Sequence, residues 1–128
     1  MRVLHISNDF PNSSLYKQLV LHLDELDIKQ AIYSAVRTEK EAQYSAPKLS
    51  HLKTNIRNIL RSYDRILYRS KIKKIFNDVT KQIDLKKVNI AHAHTLYSDG
   101  GVALKIKREL DASSSLKCKP KLYTAISI

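Results

Sequence analysis

Glycine, proline and cysteine are scarce in this chain. Two Gly and three Pro among 128 residues exclude a collagen-like, linker-dominated or loop-rich protein. The one cysteine, Cys118, excludes an intramolecular disulfide and a cysteine-built zinc cluster. It has no cysteine or histidine beside it in sequence, so it is given no catalytic role. Long apolar runs are missing too. Stretches such as Leu19-Val20-Leu21 are far too short to span a bilayer. A secretory leader needs a basic start and then an apolar core. Here Met1-Arg2-Val3-Leu4-His5-Ile6 is broken at once by Ser7-Asn8-Asp9. A cytoplasmic location is expected, with peripheral attachment to the inner membrane face as an option.

What is present reads as an ordinary folded domain. Hydrophobic residues make up 43% and charged residues 27% of a 14.7 kDa chain. That length supports a single domain, 1–128, with its own core. The unusual quantity is a net charge of +11. It admits nucleic acid, an anionic membrane surface or anionic small molecules as partners.

Strands and helices alternate along the chain. Val3 to Ile6 is a short apolar run, as in a buried strand. Asn12, Ser13 and Ser14 are N-cap candidates. Leu15, Leu19, Val20, Leu23 and Leu26 then follow at helical spacing. Ala31 to Val36 is the next strand. Residues 37–52 are polar, include Pro47, and read as a long connection. Lys53 to Ile83 reads as one long amphipathic helical segment, with a bend at Ser70-Lys71-Ile72. Val88 to His94 is a third strand. Ser98 or Asp99 can cap a helix with Val102, Ala103, Ile106 and Leu110 on one face. Leu122 to Ile128 is a fourth strand. This order predicts an α/β fold, a Rossmann-like parallel sheet with helices on both faces.

The charge is concentrated. Residues 1–52 sum to zero, residues 53–87 carry +8 and residues 98–128 carry +3. Arg57, Arg61, Arg65 and Arg69 recur every fourth residue, which on one helix makes a continuous ridge. Three readings stay open: a solvated face, a ridge against anionic lipid, or a nucleic-acid contact. The membrane is preferred among partners. No nucleic acid is expected, because no nucleic-acid motif is present.

His92-Ala93-His94 places two imidazoles on one side of a strand, at its carboxyl end, where α/β sheets hold ligands. They can be satisfied structural histidines, a ligand- or acceptor-binding pair, or a metal pair. No Asp, Glu or Cys stands at a natural ligand spacing nearby, so no metal and no cofactor is assigned. Ser98-Asp99-Gly100-Gly101 opens a helix, whose N-terminus favours anions and whose glycines permit close approach. Simple helix–strand packing explains the glycines equally well. The pattern is neither GxGxxG nor a Walker loop. Ser7-Asn8-Asp9 ends the first strand, and Asp9 reads first as a turn residue. His5 reads as a packed strand histidine, and His22 and His51 as surface groups.

Three stretches resemble the amino-terminal half of a family 4 glycosyltransferase of the GT-B fold. They are Met1-Arg2-Val3-Leu4-His5-Ile6-Ser7 with Phe10-Pro11, Val88-Asn89-Ile90-Ala91-His92-Ala93-His94, and Thr95 to Leu104 running on to Leu110. The resemblance covers about residues 1–110, and 111–128 is an atypical tail with a last strand. It implies sugar transfer from a nucleotide-activated donor to a sugar or lipid-linked acceptor in cell-surface glycan synthesis. Such enzymes usually retain configuration and use no metal. Their amino-terminal domain mainly binds acceptor and their carboxy-terminal domain binds the nucleotide-sugar. By resemblance, Asn8, Asp9, Asn12, Ser13, His92, His94, Thr95, Asp99 and Gly100 would bind the acceptor. No catalytic residue is assigned.

The chain departs from the family in three ways. Asn12-Ser13-Ser14 replaces a glycine-rich turn, Ile126 falls where a cleft histidine is usual, and no donor domain follows. A truncated or frameshifted product, inactive alone, is expected. The competing class is a non-catalytic basic Rossmann-like module on an anionic membrane or nucleic acid. A metal hydrolase using His92 and His94 is a third class.

Overall fold

The computed structural model describes residues 2–8, 10–12, 14–43, 49–95, 98–113 and 123–126. Its elements run β1 (Arg2–Ile6), α1 (Ser14–Glu25), β2 (Lys29–Val36), α2 (Glu39–Ala42), β3 (Leu52–Asn58), α3 (Tyr68–Gln82), β4 (Ile90–Ala93), α4 (Ser98–Ser113) and β5 (Tyr123–Ile126). Short 3-10 turns cover Phe10–Asn12, Ser62–Arg65 and Leu85–Lys87. The strands form one sheet in the order β3-β2-β1-β4-β5, and every neighbouring pair is parallel. The fold is therefore the expected Rossmann-like α/β sheet.

Strand alternation divides the core in two. Leu4 and Ile6 of β1, Ala31, Tyr33 and Ala35 of β2, and Ala91 and Ala93 of β4 face α3 and α4. They meet Ile72, Ile75 and Val79 of α3 and Val102, Ala103 and Ile106 of α4. The spacing of three and four that predicted these helical faces sets this packing. Each fully buried Leu, Ile or Val side chain there contributes about 1.5–3 kcal/mol from apolar transfer, and an alanine less. The other face is smaller: Phe10, Val20 and Ile32, with Tyr16, Leu49 and Leu52 against them.

Scarce glycine has a local consequence at the end of α1. Asp27 has φ 57°, Ile28 N–H donates to Leu23 O at 3.2 Å, and Asp27 N–H donates to Asp24 O at 3.0 Å. This is a Schellman cap with aspartate in the place glycine usually fills. Aspartate tolerates the left-handed region better than most residues.

The long helix expected over 53–83 is not one element. Leu52–Asn58 is the edge strand β3, paired with β2 in register from Gln30↔Leu52 to Val36↔Asn58. Its exposed residues, Lys53 and Arg57, are four apart on one side of a half-buried strand. Ile56, Ile59 and Leu60 imitate helical spacing only because the chain turns between them.

The arginine ridge dissolves with that helix. Arg57 sits on β3, with Nε 3.2 Å from Asp78 Oδ2, an oxygen that also accepts from Tyr33 Oη at 2.6 Å. Arg61 precedes the 3-10 turn, Arg65 ends it, and Arg69 lies in α3. The turn is anchored by buried Asp64, which accepts from Arg61 N–H at 2.6 Å and from Lys74 Nζ at 3.0 Å. Burial pushes the Asp64 carboxyl up, but these hydrogen bonds and the Lys74 and Lys71 charges outweigh it and hold it below its usual range. Tyr63 and Tyr68 are 51% and 39% exposed. No helix among the described residues is long and apolar enough to cross a membrane.

Candidate functional site

The strand order reverses between β1 and β4. Crevices outside the carboxyl ends of parallel strands at such a point are the usual ligand sites of open α/β sheets. A crevice of about 210 Å³ lies there, lined among others by Asn8, Arg37, Glu41, Lys71, Thr95 and Asp99. Asn8 follows β1, Arg37 follows β2 and Thr95 follows β4. Ser98 and Asp99 begin α4 and also line it.

Hydrogen bonds hold this wall in place. Asn8 Oδ1 accepts from Ala35 N–H at 3.2 Å, and Asn8 Nδ2 donates to Ser98 Oγ at 3.3 Å. One side chain thus ties the end of β1 to β2 and to α4. Thr95 Oγ1 donates to Asp99 Oδ2 at 2.9 Å, and Gly100 N–H donates to Thr95 O at 2.9 Å. Asp99 is 1% exposed and sits in the first turn of α4, where the helix dipole favours its charge. The wall mixes carboxylates, Glu41 and Asp99, with cations, Arg37 and Lys71. A shallower hollow of about 430 Å³ shares Arg37 and Leu60 with the crevice and adds Arg61, Ser62 and Arg65.

Of the residues expected to bind acceptor, Asn8, Thr95 and Asp99 meet in this crevice. Gly100 is buried behind them in the first turn of α4. Asp9 and Ser13 lie outside the described residues, as does the side chain of Asn12. Cys118 lies outside them as well, and of Ile126 only the backbone in β5 is described. His92 and His94 do not line the crevice.

The two histidines gather instead with His5, beneath α1. β1 and β4 are adjacent, and His5 pairs in register with His92. Ring centroids are 4.4 Å apart for His92–His94, 5.1 Å for His5–His94 and 5.5 Å for His5–His92. The Tyr16 ring packs on His94 at 4.5 Å. Gln30 Nε2 donates to Val20 O at 3.0 Å, so its Oε1 faces His5 Nε2 at 2.9 Å. That fixes the proton of His5 on Nε2 and leaves Nδ1 as an acceptor, 3.0 Å from His94 Nε2. Burial depresses all three pKa values. His5 falls to about 4, where the Gln30 hydrogen bond works against burial and His92 adds to it. His94 falls to about 3, with His5 and His92 adding to burial. His92 is lowered by burial alone. All three imidazoles are neutral at pH 7.

Sequence reasoning missed Arg37, Glu41 and Lys71 in the crevice and His5 in the cluster. Arg37 directly follows an apolar run, the same signal that singled out Asn8, whereas Thr95 was reached only by resemblance. Lys71 was hidden by the single-helix reading of 53–83. The part played by His5 depends on strand order, which periodicity does not carry. No family model, curated protein or solved structure is significantly similar to this chain.

Proposed function

We propose that this chain is the acceptor-binding half of a glycosyltransferase of cell-surface glycan assembly, and that alone it binds acceptor without turnover. The crevice at the β1/β4 reversal carries the reading. Glu41 and Asp99 can accept hydroxyl protons, while Asn8, Arg37 and Lys71 can donate. A sugar presents both kinds of group on neighbouring carbons. Transfer also needs a donor held opposite, and positioning two reactants is a large part of the catalytic advantage. One wall of a cleft supplies only half of that.

The test is a glycan array of neutral and acidic sugars, read with the unaltered chain and with Asp99→Asn and Arg37→Gln. Saturable sugar binding that weakens at least about tenfold (~1.4 kcal/mol) in each variant is expected. Array-wide silence, or binding indifferent to both changes, would refute the acceptor role. Sugar transfer above a boiled control would refute inactivity.

A second reading is binding to an anionic membrane surface. One observation favours it even without a helical ridge. Arg61, Arg65 and Arg69 alternate with Tyr63, Ile66 and Leu67, which are 51%, 85% and 51% exposed. Exposed apolar groups among cations suit an anionic lipid interface. Vesicle co-sedimentation should weaken in Arg61→Gln/Arg65→Gln and stay unchanged in Arg57→Gln, whose guanidinium is engaged by Asp78. Equal loss in both would contradict this placement.

A further inference from the structure

We propose that His5, His92 and His94 form a divalent transition-metal site, best matched by zinc, at the face of the sheet under α1. This goes beyond acceptor binding in the crevice and does not depend on it. Each of the three residues offers a ring nitrogen, and these nitrogens all lie within 4.8 Å of one another. Two tetrahedral ligands at a metal–nitrogen distance of about 2.05 Å stand about 3.3 Å apart. His5 Nδ1 and His94 Nε2 are already 3.0 Å apart. A small outward shift opens the pair from sharing a proton to sharing an ion.

The surroundings suit imidazole ligation. A metal-bound histidine generally donates its other ring N–H to a fixed acceptor, which sets the tautomer. Gln30 does this for His5, and Gln30 is itself locked by Val20 O. His94 Nδ1 is buried with no hydrogen-bond partner, so the acceptor that Gln30 supplies to His5 has no counterpart at His94. Coordination through His94 Nε2 moves its proton to Nδ1, an exchange of tautomers with no net proton released. Among the described residues no carboxylate or thiolate joins the three, leaving a fourth position for water or an exogenous oxygen. His5 and His94 are 1% and 4% exposed and His92 is half-buried, so that position opens on the His92 side. Three neutral nitrogens favour zinc, copper, nickel or iron over calcium or magnesium.

The test uses the purified chain stripped with chelator. Zinc competition against a chromophoric chelator should give one tight equivalent. Cobalt(II) should give the intense visible bands of a four-coordinate ion, displaced by zinc. Wild-type imidazole 15N NMR should show zinc-dependent shifts at His5, His92 and His94, a readout that needs no variant. His92→Ala changes a half-buried residue and should lower zinc affinity at least about a hundredfold with unchanged circular dichroism. Gln30→Met should lower it about tenfold to a hundredfold, as loss of an orienting partner does. His22→Ala/His51→Ala should leave stoichiometry and affinity intact, because the side chains pair with Glu25 and Asp27 and neither joins the three gathered imidazoles. No tight equivalent, octahedral cobalt, or a tight equivalent lost with His22 and His51 would overturn the proposal.

Discussion

The two faces of the sheet use the same strands and have opposite characters. Toward α3 and α4 the strands present Leu, Ile, Ala and Tyr33, and the cluster they build is almost wholly apolar. Toward α1 the neighbouring positions are His5, Gln30, Ile32 and Ser34, and the apolar cluster shrinks to Phe10, Val20 and Ile32. Within β1 the change comes from one residue to the next, because Leu4 and Ile6 point one way and His5 the other. Burial is similar on both sides. What differs is whether a buried group needs a partner, and only groups that need one can exchange it for a ligand. One face secures the fold, and the other retains chemistry.

The largest expected effect tests that division in the core. Ile75 and Ile32 are each 0% exposed. Ile75→Ala opens a cavity in the larger cluster and should cost about 4 kcal/mol, whereas Ile32→Ala should cost about 2. Urea unfolding measures both, and equal costs would erase the packing contrast. The second expectation concerns pH in metal-free protein. His5 and His94 have folded pKa values below the unfolded value of 6.5. Their contribution is whole above pH 6.5 and is lost as pH falls toward about 4 for His5 and about 3 for His94, since the unfolded chain takes up protons first. The slope is about 1.4 kcal/mol per pH unit for each histidine. A profile flat to pH 4 would shift acid sensitivity to carboxylates such as Asp64, beside α3. The smallest effect probes tightness of the apolar face. A Cβ on Gly101 would meet Tyr68 Oη and Ile72 Cδ1. Gly101→Ala should displace the Tyr68 ring, and the helix gains about 1 kcal/mol of propensity in return. A net change beyond about 1 kcal/mol would mean that α3 and α4 yield less than flexible side-chain ends suggest.

The pattern of apolar residues gave away the faces that bury deepest. Val3–Ile6, Ala31–Val36 and the Val102–Ile106 stripe fall where their spacing puts them, because burial on one side or both leaves a strong period. The edge strand β3 leaves a weak one. Lys53, Thr54, Asn55, Arg57 and Asn58 interrupt it, and two isoleucines and a leucine past its centre imitate a helix. The crevice was half legible, since Asn8 follows a strand and Asp99 opens a helix, while Thr95 came only by resemblance. The histidine cluster was legible only as a pair. Its third member is 87 positions before His92, and only the pairing of β1 with β4 joins them.

That pairing also sets an order in time. β1 lies at the centre of the sheet, and Arg2 N–H reaches Asn89 Oδ1 at 2.8 Å across 87 positions. On the ribosome, at about 5–20 residues per second, β1 is made on the order of ten seconds before β4. Through that interval one edge of the central strand has no neighbour to close it, and His5 has met Gln30 but not His92 or His94. Contacts of such separation close late and slowly. The sheet centre, buried in the finished molecule, is therefore a part whose completion waits long during synthesis.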